Sequence, residues 1–321
     1  MARWELIHIL VIIGISVEFS ELVKNYPSES SEKKLKEGIA EFLKISESQI
    51  FLGNGSMGVL DRINKALLKP KSLVLGFEPQ FTVFEENVNS FGAVYKSLKL
   101  KENYKFAVEE FVLFIENNPK HKIVYIDNPS NPTGQIIPLK EIEKVAKVAN
   151  VLIVDEAYGE FMPKKNSAVN LLKDFDTVIV TRSFSKGFGL AGLRIGYGIM
   201  NKKFGKLYEK ARLPFEFNIV GLEVAFKALQ SNLIAESIPK IKAEKKFLIV
   251  NFKKLGFEIA QTDLSVPIFL AKCSKIPNLK KVFSERGILT GEYATKTNNE
   301  VRIRIPGSMK KCREIIKRIS N

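Results

Sequence analysis

Ser183-Phe184-Ser185-Lys186-Gly187-Phe188-Gly189-Leu190-Ala191-Gly192-Leu193-Arg194-Ile195-Gly196-Tyr197 sets a lysine among small hydroxyl residues, then a glycine-rich turn, then an arginine eight positions on. A lysine that condenses with an aldehyde must be held in place and withdrawn from bulk water. A phosphorylated aldehyde also asks for hydroxyls and a cation at its phosphate end. Ser183 and Ser185 can donate to phosphate, and Arg194 offers a guanidinium fork for bidentate contact. Gly187 and Gly189 let the backbone bend closely around a ligand. Lys186 by itself would be one lysine among 40, most of them solvated; its neighbours single it out.

Around this stretch the chain alternates short apolar runs with amphipathic ones. Residues 50–52, 72–75, 93–95, 122–126, 151–154, 177–180 and 193–199 read as strands. The periodicity predicts helices over 56–68, 82–91 and 139–149 among them. Such alternation argues for an α/β fold, a mostly parallel central sheet sandwiched by helices. Ligands on such sheets sit beyond the C-terminal strand ends. After residue 201 the character changes, with helices predicted over 202–212, 219–230 and 233–255. A compact α+β close follows: strands 266–270 and 301–305, helices 279–286 and 308–319. We expect a large ligand-binding domain over 45–230 and a smaller α+β domain made of 1–44 plus 231–321.

Three further segments carry chemistry. Val151-Leu152-Ile153-Val154-Asp155-Glu156-Ala157-Tyr158 ends a buried strand on Asp155, a costly place for a carboxylate without a cationic partner. A protonated pyridine nitrogen is such a partner, and Tyr158 is placed to donate to a ring oxygen. Alone, the segment would equally suit a Walker-B-like carboxylate, but no Gly-x-x-x-x-Gly-Lys-Ser/Thr loop accompanies it. Asp127-Asn128-Pro129-Ser130-Asn131-Pro132-Thr133-Gly134 is a rigid turn after a strand, generic or functional on its own terms. Leu52-Gly53-Asn54-Gly55-Ser56-Met57-Gly58 joins a strand to a helix N-terminus, where unpaired amides and the helix dipole favour an anion.

Taken together, these motifs resemble the signature of fold-type-I pyridoxal phosphate enzymes, most closely the aminotransferase group that includes histidinol-phosphate aminotransferase. The resemblance spans roughly residues 24–320, with five motifs in the same order. It implies pyridoxal 5'-phosphate as cofactor, Lys186 as its Schiff-base lysine and Asp155 at the ring nitrogen. Tyr158 and Asn131 would meet the 3-oxygen; the Ser56 and Met57 amides, Ser183, Ser185 and Arg194 would hold the phosphate. It places an aromatic ring on the cofactor face at Phe84, with Phe81 the other candidate. Tyr26, in Asn25-Tyr26-Pro27, matches an element that reaches the neighbouring subunit's phosphate, which implies a homodimer. Arg302 and Arg304 alternate on one strand and are candidates for the substrate's anionic groups, Arg302 the better matched.

The implied reaction is transamination from histidinol phosphate to 2-oxoglutarate, as in histidine biosynthesis. Two departures keep other substrates open. The usual Asn-Glu-Asn-Pro box is replaced by residues 17–24, and Thr290-Gly291 stands where relatives carry an arginine after a strand at 287–289. Threonine-phosphate decarboxylation and transamination of aromatic or aspartate-like amino acids are the alternatives.

Composition agrees with a small-molecule enzyme. A net charge of +15 would suit nucleic acid, but its basic residues are spread along the chain and only 10 of 50 are arginine. The charge instead favours acidic, phosphorylated substrates. Two histidines, His8 and His121, and two cysteines, Cys273 and Cys312, leave no metal-ligand pattern or Ser-His-Asp triad. No metal or nucleic acid is expected, and a cytoplasmic setting fits the sparse cysteines. The apolar run 6–15 is too short to span a bilayer and reads as a buried strand or short helix, so no membrane partner is expected.

Overall fold

The computed structural model describes residues 23–118, 122–291 and 295–320. The apolar run 6–15 and both histidines lie outside them. β1 (Ile50–Gly53), β2 (Leu73–Glu78), β3 (Val94–Lys99), β4 (Ile123–Asp127), β5 (Val151–Asp155), β6 (Val178–Ser183) and β7 (Gly196–Ile199) form one sheet. Its order is β1-β7-β6-β5-β4-β2-β3. Neighbours from β6 to β3 are parallel, whereas β7 runs antiparallel to both β6 and β1. All five residues of β4 are buried, as a strand covered on both faces requires.

Each face of the sheet has its own apolar layer. On one side α2 (Gly55–Leu67), α3 (Thr82–Ser90) and α6 (Lys202–Lys210) bring Val59, Ile63, Phe84, Val88 and Tyr208 onto Tyr125, Ile153 and Ile179. On the other lie α1 (Glu29–Leu43), α4 (Val108–Glu116), α5 (Leu139–Val148) and α7 (Ile219–Leu229). In α5 the buried residues are Ile142, Val145 and Ala146, the i, i+3, i+4 stripe of a helix with one face on a core. Ser28 caps α1 by accepting from the Ser31 amide, with Glu29 and Glu32 in the first turn to complement the helix dipole.

Leu35 and Ile39 of α1 are fully buried in the core of the large sheet, and α1 packs on α7 and β1. Residues 29–43, expected with the smaller domain, therefore sit on the larger one, because these two apolar side chains find their partners there.

The chain closes with α8 (Leu233–Lys254), β8 (Glu258–Ile259), β9 (Ile268–Lys272), α9 (Leu279–Glu285), β10 (Glu300–Arg304) and α10 (Met309–Ser320). The three strands form an antiparallel sheet in the order β10-β9-β8. A separate core of Leu248, Phe252, Phe269, Phe283, Val301, Ile303 and Cys312 holds it to its helices. The strand expected at 287–289 is not formed; those residues follow α9 as a turn and irregular chain. Among the described residues no helix is long and apolar enough to cross a membrane. Nor does any cluster there suit a metal ion.

Candidate active site

The C-terminal ends of β4, β5 and β6 meet the N-terminus of α2 around a cavity of about 290 Å³. Ser56, Met57, Asn131, Asp155, Tyr158, Ser183, Ser185, Lys186, Arg194 and Arg302 all line it, joined by Phe81, Asp127 and Pro129. Ten residues singled out from separate motifs thus share one wall.

Asp155 ends β5 almost fully buried. Its Oδ1 accepts from Thr181 Oγ1 (2.8 Å) and the Ala157 amide (3.1 Å), and its Oδ2 accepts from the Tyr125 hydroxyl (3.2 Å). Burial pushes the carboxyl up to about 6, and these hydrogen bonds hold it from going higher. All three donors are neutral, so among the described residues no cation is hydrogen-bonded to this carboxylate.

Lys186 is half-buried, its amine 5.6 Å above the centroid of the Tyr158 ring. Burial, followed by the charges of Arg304, Arg302 and Arg194, lowers the amine to about 8; Asp155 pulls the other way. An amine brought towards neutrality is a better nucleophile and base.

At the other end, Asn54 makes no side-chain cap, so the first amides of α2 are left open. Gly55 has φ +73°, and a Cβ there would lie 2.5 Å from Arg194 Nη2. Arg194, itself left-handed at φ 57°, follows a 3₁₀ turn at Ala191–Leu193, so β7 begins only at Gly196. Its Nη1 donates to Ala191 O (2.8 Å) and Ser185 Oγ (3.4 Å), and Nη2 to Asn54 O (3.4 Å). Guanidinium, hydroxyls and open amides together form an anion cradle.

The turn after β4 is held by Asp127, whose Oδ2 accepts from the amides of Asn131 (2.9 Å) and Phe81 (3.2 Å). Burial raises this carboxyl to about 8. Asn131 Oδ1 in turn accepts from Arg302 Nη1 at 2.8 Å, bringing β10 to the cavity.

Three expected residues lie elsewhere. Phe84 is fully buried beneath the sheet's helices, stacked on Tyr125 with centroids 3.7 Å apart. Phe81, three residues earlier, is the ring on the cavity wall. Tyr26 is 74% exposed and stacks on Phe215, itself 68% exposed, away from its own chain's cavity. Arg304 lines a neighbouring hollow with Ile288, Leu289 and Pro306, although its charge still acts on Lys186. Asp127, Tyr125 and Thr181 were not foreseen. A second aspartate at a strand end, paired in register with Asp155, was the one signal available.

A doubly covered α/β sheet with a lysine, a buried aspartate and an anion cradle beyond its strand ends defines an enzyme of the fold-type-I pyridoxal phosphate class. The model of the family "Aminotransferase class I and II" matches residues 17–319, and the chain belongs to that family, as a transaminase dependent on pyridoxal 5'-phosphate. A histidinol-phosphate aminotransferase of Thermoanaerobacter sp. (strain X514) is 32% identical over 288 residues, 89% of this chain and 80% of that one. Two solved structures share the fold. The histidinol-phosphate aminotransferase of Clostridium acetobutylicum superposes with a TM-score of 0.84 at 24% identity, covering 97% of this chain and 93% of that one. That of Sinorhizobium meliloti, in complex with pyridoxal-5'-phosphate, gives 0.81 at 22% identity, covering 96% and 84%.

Proposed function

We propose that this aminotransferase takes its amino group from histidinol phosphate and passes it to 2-oxoglutarate. The observation that carries the reading is the meeting of Lys186, Asp155 and Arg194 on the wall of one cavity. The donor is suggested by the relative that shares 32% identity.

The residues present fit pyridoxal phosphate: a buried carboxylate whose hydrogen-bond donors among the described residues are all neutral, a half-buried amine, and an anion cradle at the opposite end. Bound there, the cofactor supplies an electron sink for the pair left when the donor loses its α-proton. Lys186 would hold the cofactor's aldehyde end, and its amine would move the donor's α-proton as base and then acid. Asp155 keeps a proton on the ring nitrogen. Tyr158 and Asn131 hold the ring's 3-oxygen, and Phe81 covers a face. The Ser56 and Met57 amides, Ser183, Ser185 and Arg194 bind the phosphate. Arg302 receives the substrate carboxylate or its equivalent, with Arg304 a second cation for a phosphorylated donor.

A homodimer belongs to the same proposal. Tyr26 and Phe215 are large, exposed and in ring contact, and Leu213, two positions along the chain, is exposed as well, a surface suited to a second copy whose cofactor phosphate Tyr26 would reach. So do a cytoplasmic location, in keeping with two free cysteines, and a division near residue 230 between a larger and a smaller lobe.

The test is a donor screen with 2-oxoglutarate on the purified protein, histidinol phosphate first, with threonine phosphate assayed for carbon dioxide release. Turnover of histidinol phosphate above all other donors is expected. Carbon dioxide from threonine phosphate, or preference for an unphosphorylated amino acid, would replace the reading.

A further inference from the structure

Lys245, on α8, is fully enclosed, yet among the described residues no carboxylate pairs with it. Its Nζ donates instead to Thr262 Oγ1 (2.7 Å) and to the backbone oxygens of Asp263 (2.5 Å), Val266 (2.9 Å) and Ile268 (2.6 Å). The Asp263 carboxylate is engaged elsewhere, accepting from the Ser265 amide (2.8 Å). Four neutral oxygens around one positive centre are the kind of shell that takes a dehydrated monovalent cation. An ammonium has three N–H groups to offer them. Burial draws the amine down to about 7, with the Asp263 charge pulling it back up.

The cage adjoins the active site on two sides. A Cβ on Gly134, which has φ +74°, would lie 2.3 Å from Ile268 O and 3.1 Å from Lys245 Nζ, so the turn bearing Asn131 forms one wall. The Asp263 amide also donates to Gly134 O (2.9 Å), and Ser265 Oγ donates to Phe161 O (2.6 Å). On the far side, Ile268 opens β9, whose Leu270 pairs with Arg302 and whose Ile268 pairs with Arg304. Loop 262–268 is thus wrapped around one nitrogen and pressed between the Asn131 turn and the arginine strand.

We infer that Lys245 is a positioning residue: a cation tethered to its own helix that locks loop 262–268 against the Asn131 turn and so fixes the Arg302–Asn131 contact. Only the kinetic half of its test rests on the transaminase reading above. Lys245→Ala empties the cage of its cation and leaves its oxygens in place. At pH 6.5, on the acid side of the amine's value of about 7, the variant should show a KM raised about tenfold or more for amino donor and 2-oxoglutarate. The Tm of the cofactor-free variant should fall. Ammonium, methylammonium or potassium should restore both, and tetramethylammonium, which is too large, should restore neither; the parent should respond to none of them.

Lys245→Gln guards against a variant that does not fold, since it keeps N–H donors without charge. It should carry the raised KM and be indifferent to ammonium. Parent-like constants in Lys245→Gln, or a Lys245→Ala protein whose KM and Tm ignore every small cation, would overturn the assignment. If the donor were misassigned, the histidinol phosphate assay would be silent for the parent too, while the cation-dependent Tm of Lys245→Ala would persist and support the cage.

Discussion

Arg302 of β10 donates through Nη1 to Asn131 Oδ1 at 2.8 Å, a direct bond between the small sheet and the turn after β4 that borders the cavity. Arg302→Ala should therefore raise KM for every anionic substrate, by about 10- to 100-fold for a lost charged hydrogen bond. Arg304→Ala should act mainly on phosphorylated donors. Steady-state kinetics on histidinol phosphate and on an unphosphorylated amino acid separate the two. An Arg304→Ala enzyme with unchanged KM on both would leave that arginine outside substrate binding.

Lys186 titrates in the useful range because burial and three arginines hold it down. With a folded value of about 8 against an ordinary 10.5, the amine becomes neutral at a lower pH than a surface lysine does. Capture of pyridoxal phosphate by stripped protein should speed up as pH rises through about 8 and level off above it. Arg304→Ala should move that midpoint upward, since Arg304 is the largest of the charges lowering it. A midpoint near that of a free lysine would refute the environment described. Lys186→Ala should lose turnover and any borohydride-fixed cofactor, which mass spectrometry would read.

Asp155→Asn keeps the shape of the side chain and removes its charge. Loss of a buried charged partner should cost about 2–5 kcal/mol of transition-state stabilisation, read in kcat/KM. Retention of most activity would reduce Asp155 to a strand-end carboxylate.

Phe81 and Phe84 should part company. Phe84→Ala empties a fully buried site against Tyr125 and should cost about 3–5 kcal/mol in chemical denaturation. Phe81→Ala should cost far less stability and weaken cofactor binding in a fluorescence titration. The reverse pattern would return Phe84 to the site.

The contrast between those two rings shows where sequence reading runs out. Lys186, Asp155, Asn131 and Ser183 each lie at or just past the end of an apolar run, so local periodicity alone puts them at the ligand edge of a parallel sheet. Phe81 is set by its amide's bond to Asp127, 46 positions away, which no local pattern records. Lys245 is one lysine among 40, marked only by oxygens that the fold assembles. Helix α4 was missed because Phe111-Val112-Leu113-Phe114-Ile115 reads as a strand as readily as a helix. Helix α1 leaves little trace in the sequence, because only Leu35 and Ile39 within a charged segment reveal its face.

Position 55 is barred to any side chain twice over, by its positive φ and by the Arg194 guanidinium occupying the space a Cβ would need. That interlock has a meaning for how the enzyme can diversify. Its anion cradle is a fixed part, in which a change at one member displaces the other. Latitude lies in the neighbouring hollow, which Leu289, 85% exposed, lines with Arg304 and Pro306. A library seeking new amino donors should hold residues 54–57 and 183–194 constant and randomise 287–291 and 304–306. Selection there would vary the guest while leaving the cofactor's seat untouched.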